Sequence, residues 1–157
     1  MSIKLACGSI RASWSGALMA LALVPHLAFA ALGEPEASII DEAQQSKASI
    51  KSTERANYRV YEIQLPSGTT LREYATVGGH VFGVAWSGPA MPNLRQALGR
   101  YFEGYVAAAK AKPGVRHHFE VRQDDFVMQS GGHMRAFTGR AYLPHAVPAG
   151  TSVDEIR

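Results

Sequence analysis

Residues Tyr58 to Trp86, YRVYEIQLPSGTTLREYATVGGHVFGVAW, contain three short segments separated by two turn signals. Apolar and polar side chains alternate along the first segment, Tyr58 to Leu65, which is the pattern of a half-buried strand. Pro66 to Gly68 and the Gly78–Gly79 pair are typical of tight turns. The stretch therefore predicts an antiparallel meander with strands over 58–65, 69–76 and 80–86.

The alternation also predicts which side chains share a face of the sheet. Tyr61, Ile63 and Leu65 are expected together on one face of the first strand. In the third strand the same spacing groups Phe82, Val84 and Trp86 on one face.

Helical spacing of apolar residues occurs on both sides of this meander. After it, Asn93 to Lys112 has an aromatic and apolar stripe that is expected to lie across a sheet face, and Pro113–Gly114 ends the pattern. Before it, Ser38 to Arg55 has a broken apolar stripe, which predicts a helix that is partly exposed or docks on a partner. Near the end, Thr151 to Glu155 has the pattern of a one-turn helix with a capping box.

Three more strands are predicted in the C-terminal part, over 115–121, 126–130 and 133–142. Gly131–Gly132 is interpreted as a hairpin turn, so that His133 opens the last strand as His80 opens the third. The predicted fold is α+β, with a mainly antiparallel sheet of about six short strands and two helices. A shift of 53 residues overlays Gly78 to Val81 on Gly131 to Met134. This shift suggests a duplicated helix-plus-three-strand unit, although two similar turns would produce the same period.

The first 30 residues have the features of a secretory signal peptide. Two basic residues precede an apolar run over residues 17–24, and Ala28 and Ala30 form an A-x-A motif. The run is shorter than the ~20 residues that span a bilayer, which argues against a membrane anchor. We therefore predict cleavage after Ala30 and a periplasmic or secreted protein, with residues 31–157 as one domain that does not insert into a membrane.

Charge and cysteine content narrow the classes of function. Cys7 is the only cysteine and lies in the leader, so the mature chain has no disulfide and no cysteine-bound metal. Without Lys4 and Arg11 the chain has 14 basic against 13 acidic residues, and its net charge falls from +3 to +1. No basic block remains, which argues against nucleic acid or an anionic membrane surface as the partner.

The candidate functional residues are Gly131, Gly132, His133, His80 and Arg140. A metal site on His80, His133 and a carboxylate requires a true duplication to bring the two histidines together. His117 and His118 are adjacent in a predicted strand and point to opposite faces, so they cannot chelate one ion. Ser130 and His133 make a poor catalytic pair, because no third group orients the histidine.

The charged residues of the strands are expected to have structural roles. Arg135 and Arg140 differ in parity along the last strand, so they cannot form one anion clamp. Arg72 and Glu73 are expected to form cross-strand ion pairs. Asp124–Asp125 is interpreted as a turn between two strands.

Several short words of the sequence resemble a bacterial family catalogued as domain of unknown function 2844. The most distinctive words are SGGHM at Ser130–Met134, AF at Ala136–Phe137, GRA at Gly139–Ala141 and PAG at Pro148–Gly150. The resemblance covers nearly the whole mature chain. It implies a small exported protein of a Gram-negative bacterium with no assigned activity, cofactor or catalytic residue, so no functional residue is carried over.

Together these features favour an exported, non-catalytic binding or envelope-assembly protein without a cofactor. The partner would be an envelope protein, a glycan or a second copy of the chain. The helix over 38–55, the loop over 88–92 and the aromatic residues Trp86, Phe137 and Tyr142 are candidate contact surfaces, although the aromatics would serve equally well as core. The alternative is a hydrolase or metal-dependent enzyme that uses His80 and His133.

Overall fold

A computed structural model describes residues 31–45, 48–111 and 118–157. The predicted leader with its cleavage site, and His117, lie outside these residues. The first residues of the described part pack into the core of the domain. Ala31 and Leu32 are buried. The amide of Leu32 donates to the carbonyl of Ala97, and the amide of Gly33 donates to that of Val81.

One antiparallel sheet forms the centre of the domain. Its strands are β1 Ser49–Glu54, β2 Tyr58–Gln64, β3 Thr70–Thr76, β4 Val81–Gly88, β5 His118–Arg122, β6 Val127–His133 and β7 Ala136–Tyr142. The spatial order of the seven strands is β1-β2-β3-β4-β7-β6-β5. Two meanders, β1 to β4 and β5 to β7, therefore join where β4 pairs with β7. The predicted α+β class with an antiparallel sheet is confirmed, and the sheet has one strand more than expected.

The helices are α1 Ala37–Gln45, α2 Leu94–Leu98 and α3 Phe102–Ala111, with a 3-10 turn over Gly99–Tyr101 between the last two. Asn93 caps α2 as predicted, because its side chain accepts a hydrogen bond from the Gln96 amide. The predicted single helix is interrupted at Gly99, which has a φ of +52° and faces the methyl group of Ala31. A side chain at this position would collide with the N-terminal segment that crosses here.

The predicted helix over Ser38 to Arg55 is wrong in its second half. The helix ends at Gln45, and Ser49–Glu54 pairs along its whole length with β2 as an edge strand. All six side chains of this strand are exposed. An edge strand that buries neither face has no apolar alternation, so the sequence carried no period-two signal there.

The predicted face of Phe82 is also wrong. The register between β3 and β4 shifts at Tyr74 and Ala75, where β4 contains a bulge. A bulge inserts one extra residue and reverses the alternation beyond it. Phe82 therefore lies on the face opposite Val84 and Trp86, which pack in a different core cluster. The shared face of Tyr61, Ile63 and Leu65 is confirmed.

The interpretation of Gly131–Gly132 as a hairpin turn is wrong. Both glycines lie inside β6, and the loop that joins β6 to β7 is Met134–Arg135, between the paired residues His133 and Ala136. The φ of Gly132 is +116°, and a β-carbon there would clash with the carbonyl oxygen of Ala136. Glycine is therefore needed here for a close backbone approach within the ladder.

The 53-residue shift does not relate equivalent positions of the sheet. Gly78–Gly79 lies in the turn between β3 and β4, whereas Gly131–Gly132 lies within a strand. The first meander has four strands and the second has three. The two glycine pairs therefore occupy different structural positions.

The two faces of the sheet are covered by different parts of the chain. The helix face packs against α1 to α3, including the predicted aromatic stripe of Tyr101, Phe102 and Tyr105. We call the other side the tail face; its buried residues include Tyr58, Tyr74, Phe82, Val127 and Tyr142, and the C-terminal residues 147–157, the tail, cross it.

Two of the three aromatic residues proposed as a contact surface belong to these two cores. Trp86 is 2% exposed on the helix face, and Tyr142 is 6% exposed on the tail face. Phe137 is half-buried. In the loop over 88–92, Met91 is exposed while the side chain of Thr69 donates to the Ala90 carbonyl at 2.6 Å and holds the loop against β3.

Candidate functional site

The tail is fastened to the sheet by one buried apolar side chain and several polar contacts. Ile156 is fully buried in the tail-face cluster. Its Cδ1 atom lies 3.1 Å from the position that a β-carbon of Gly83 would occupy. The absence of a side chain at Gly83 therefore leaves the space that the Ile156 side chain occupies. The predicted capping box is confirmed, with Ser152 and Glu155 closing the 3-10 turn Val153–Glu155.

Arg140 holds the tail from the middle of β7. Its Nη1 donates to the carbonyl of Val153 at 2.8 Å, and its guanidinium forms an ion pair with Asp154 at 3.4 Å. Its Nε donates to the side chain of Gln129 on β6 at 2.9 Å. This candidate residue therefore has a structural role as the link between the sheet and the tail.

A second polar link joins the tail to β2. The hydroxyl of Tyr58 donates to the carboxylate of Glu155 at 2.6 Å. This hydrogen bond is the main cause that lowers the pKa of Glu155, and the Ser152 amide adds to it. Burial, followed by the same hydrogen bond, raises the pKa of Tyr58 to about 12. The tail is thus held while Glu155 is ionised and Tyr58 is protonated.

The last residue of the tail contacts β3. The hydroxyl of Tyr74 accepts from the Arg157 amide at 3.0 Å and donates to the Arg157 carbonyl at 2.9 Å. Arg72 donates to the same carbonyl and pairs with Glu62 on β2 at 2.8 Å. The expected cross-strand ion pair of Arg72 is confirmed. Glu73 instead lies on the helix face and is fully buried, because adjacent residues of a strand point to opposite faces.

The tail divides the tail face into two open grooves. The Arg140 groove has a volume of about 400 Å³ and is lined by Trp86, Ser87, His118, Gln129, Ser130, Gly131, Thr138, Gly139, Arg140, Ile156 and Arg157. The Lys51 groove has a volume of about 640 Å³ and is lined by Lys51, Thr53, Arg55, Tyr58, Val60, Glu62, Arg72, Tyr74, Glu155 and Arg157. Both grooves have a floor of paired strands and share the tail as one wall.

The candidate residues are only partly brought together. Gly131 and Arg140 line the Arg140 groove, whereas Gly132 and His133 lie further along β6 towards the hairpin tip. His80 is at the opposite end of the sheet, in a bridge with Pro35.

The pairing registers separate His80 from His133 by more than about 20 Å along the strand direction. One ion cannot bind both histidines, so the arrangement that the metal-enzyme alternative needs is absent. No group of three His, Cys, Asp or Glu side chains able to hold a metal ion occurs among residues 31–45, 48–111 and 118–157.

The possible catalytic pair is also separated. Ser130 and His133 are three residues apart in a regular strand, so their side chains point to opposite faces. Asp124 and Asp125 are exposed in the turn between β5 and β6, as predicted.

The sequence did not identify most of the side chains in the Arg140 groove. His118 pairs with Gly131, and Gly131 pairs with Thr138, which in turn pairs with Ser87. This row of four residues crosses four strands and comes from distant parts of the chain. Local patterns could not assemble it, because the β4–β7 pairing is non-local.

Comparisons with known proteins give a family and no further relative. No curated protein and no solved structure matches the chain. In the described part, none of the helices has the length and apolar character needed to cross a bilayer. A model of the family described as "Protein of unknown function (DUF2844)" matches residues 28–156. Because this match covers most of the chain, the protein belongs to the DUF2844 family.

Proposed function

We propose that this protein is exported, loses its leader after Ala30, and works as a non-catalytic binding protein. Its ligand would be a small polar molecule with hydroxyl groups, such as a carbohydrate, held in the Arg140 groove. The predicted envelope-protein or self-association partner stays a prediction. An envelope component that carries a carbohydrate unit would agree with both the predicted partner and the proposed ligand.

The lining of the Arg140 groove is the observation that carries the proposal. Hydroxyl, amide and imidazole groups come from four neighbouring strands, at Ser87, Thr138, Gln129 and His118. Such groups donate and accept hydrogen bonds without a fixed charge, which suits a polyhydroxylated ligand. The tail forms one wall, where Ile156 and Arg157 line the groove. A few placed polar groups on a preformed concave surface are typical of small-molecule sites.

The position of the site residues favours binding over catalysis. Most of the floor of the groove is made of β4, β7 and β6, which are paired on both sides and keep their lining groups fixed, while β5, which supplies His118, is an edge strand. Of its two arginines, Arg140 already donates to Gln129 and to the tail, and Arg157 lies in the tail between the two grooves. The groups left for a ligand are hydrogen-bonding groups rather than an activated nucleophile with its base.

Two observations support export with cleavage after Ala30. The family match begins at residue 28, next to the predicted cleavage site. Leu32 is fully buried and Ala31 almost so, so buried core residues follow directly after the predicted cleavage site.

Expression of the protein with its own leader in a bacterial host tests export. We expect the exported form to begin at Ala31, and N-terminal sequencing of that form measures it. Ala28→Leu with Ala30→Leu should block cleavage, since only small side chains fit at these two positions. Ala22→Leu, in the apolar run, is the matched control and should be cleaved normally. An exported form that begins at Met1, or that has a lipid on Cys7, would contradict the proposal.

Binding is measurable through Trp86. The chain has two tryptophans, Trp14 in the leader and Trp86, so the cleaved protein has a single fluorescent reporter, whose indole is buried on the helix face and packs against Gly139 behind the floor of the groove. Titration with soluble trisaccharides of glucose and of N-acetylglucosamine should give a saturable change. Thr138→Phe fills the groove and should abolish the change.

Val77→Phe is the matched control for this experiment. Val77 is 70% exposed in the turn at the far end of β3, so the same aromatic addition there leaves the groove open. Binding that survives Thr138→Phe, or no response to either sugar, would count against the proposed ligand. Release of a cleaved sugar would count against the non-catalytic role.

A further inference from the structure

The Lys51 groove, on the other side of the tail, differs in chemistry from the Arg140 groove. Four cationic side chains line it, namely Lys51 on β1, Arg55 after β1, Arg72 on β3 and Arg157 in the tail. Two carboxylates also line it, those of Glu62 and Glu155. The side chains of the lining residues therefore have a surplus of two positive charges.

Both carboxylates are already engaged by the protein. Glu62 pairs with Arg72 at 2.8 Å. Glu155 accepts from the hydroxyl of Tyr58 at 2.6 Å and from the amide of Ser152 at 3.0 Å. The acidic side chains of the groove are thus used to hold β2, β3 and the tail together.

The remaining cations are free to bind a ligand. Within residues 31–45, 48–111 and 118–157, the side chains of Lys51, Arg55 and Arg157 form no ion pair. Arg55 and Arg157 both contribute, after the hydrogen bonds, to the lowered pKa of Glu155, which places their charges near the same corner of the groove. Lys51 approaches from the edge strand, all of whose side chains are exposed.

We propose that the Lys51 groove binds the phosphate group of a phosphorylated small molecule. Three unpaired cations around one cavity match a dianion better than a single carboxylate, and arginine forms two parallel hydrogen bonds to phosphate oxygens. The volume of about 640 Å³ exceeds that of a phosphate ion, so it leaves room for an attached alcohol or sugar. Thr53 supplies a hydroxyl for that part of the ligand.

This site is independent of the carbohydrate proposed for the Arg140 groove. The two grooves share Arg157 of the tail in their linings, and their other lining residues differ. Substitutions of Lys51 and Arg55 should leave the fluorescence response to neutral sugars unchanged.

The same chemistry is available from two sources, a soluble phosphate ester and a lipid headgroup. Two probes separate them, glycerol 3-phosphate in solution and vesicles that contain phosphatidylglycerol. We expect calorimetry to detect the soluble ester, with affinity that falls as salt is added, because exposed cations are screened. Binding to the vesicles alone, if it depends on Lys51 and Arg55, would assign the phosphate to a lipid.

The decisive variant of the full chain is Lys51→Gln with Arg55→Gln. Both residues are exposed, so the fold should persist, and loss of two charge-assisted contacts should weaken binding by at least about tenfold. Lys110→Gln with Arg135→Gln removes the same charge from exposed positions on α3 and the hairpin tip, and should bind normally.

Three results would overturn the proposal. One is equal weakening in both double variants, which would mean that only net charge matters. The second is no binding of either probe to the unmodified chain. The third is normal binding by Lys51→Gln with Arg55→Gln; if this variant also aggregates, the cations instead protect the β1 edge from pairing with other chains.

Discussion

Gly139→Ala is expected to destabilise the domain by about 3 kcal/mol or more. Gly139 in β7 pairs directly with Trp86 in β4. A β-carbon at this position would clash with the indole ring of Trp86 and lie 2.9 Å from the carbonyl oxygen of Gln129. The indole is 2% exposed and has core neighbours, so it cannot move aside without repacking the helix face. Overpacking of a rigid site costs more than overpacking beside a flexible side chain.

Urea denaturation measures this effect, and Gly78→Ala is the matched control. At Gly78 the nearest atom to a new β-carbon is the hydroxyl of Thr76 at 3.6 Å, which is an ordinary contact. We expect a change within about 0.5 kcal/mol for Gly78→Ala. Equal stability of Gly139→Ala and the natural protein would mean that Trp86 does not rest on Gly139.

The GRA word at Gly139–Ala141 supports the family resemblance, and each of its three residues has a separate structural role. Gly139 makes room for the indole of Trp86. Arg140 points to the other face and holds the tail at Val153. Ala141 returns to the helix face and is fully buried there. This word lies within β7, and two of its residues line the Arg140 groove.

The sequence correctly predicted the strands that bury one face. Its predictions were wrong where a strand buries neither face and where a bulge breaks the alternation. Tyr58–Gln64 alternates because its core side is buried and its other side is only partly so. Ser49–Glu54 buries neither face, and its polar side chains were assigned to the end of a helix. Phe82 was assigned to the wrong face because a bulge is not visible as a change of residue type.

The site was less predictable than the fold because non-local pairing builds it. Gly131 and Arg140 were identified from their residue types and lie in one groove. Their neighbours Ser87 and His118 join them only through the pairing of β4 with β7 and of β5 with β6. Strand order across such a junction depends on which edges meet in the folded chain, and no local pattern encodes it.

Ile156→Ala is expected to lower the free energy of unfolding by about 2–5 kcal/mol. Ile156 is fully buried in the tail-face cluster with Tyr74 and Phe82, and its side chain fills the space left by Gly83. Truncation removes apolar contacts and leaves a cavity that the rigid strands cannot close. The polar contacts of Arg140 and Tyr58 with the tail then have to hold it alone.

Thermal and urea unfolding measure the loss, and Val153→Ala is the matched control. Val153 is only half-buried in the same tail, so its truncation should cost less than that of Ile156. Hydrogen exchange of the Arg157 amide, which donates to Tyr74, separates two outcomes. Fast exchange with an unchanged unfolding midpoint would mean that the tail is a detachable cover, and the expectation would be wrong.

Loss of both stability and amide protection would instead make the tail part of the cooperative core. Because Ile156 and Arg157 line the Arg140 groove, and Glu155 and Arg157 line the Lys51 groove, Ile156→Ala should then weaken ligands on both sides of the tail together. Thr138→Phe and Lys51→Gln with Arg55→Gln should each affect one groove. A pattern in which Ile156→Ala affects neither groove would show that the tail is not a wall of either site.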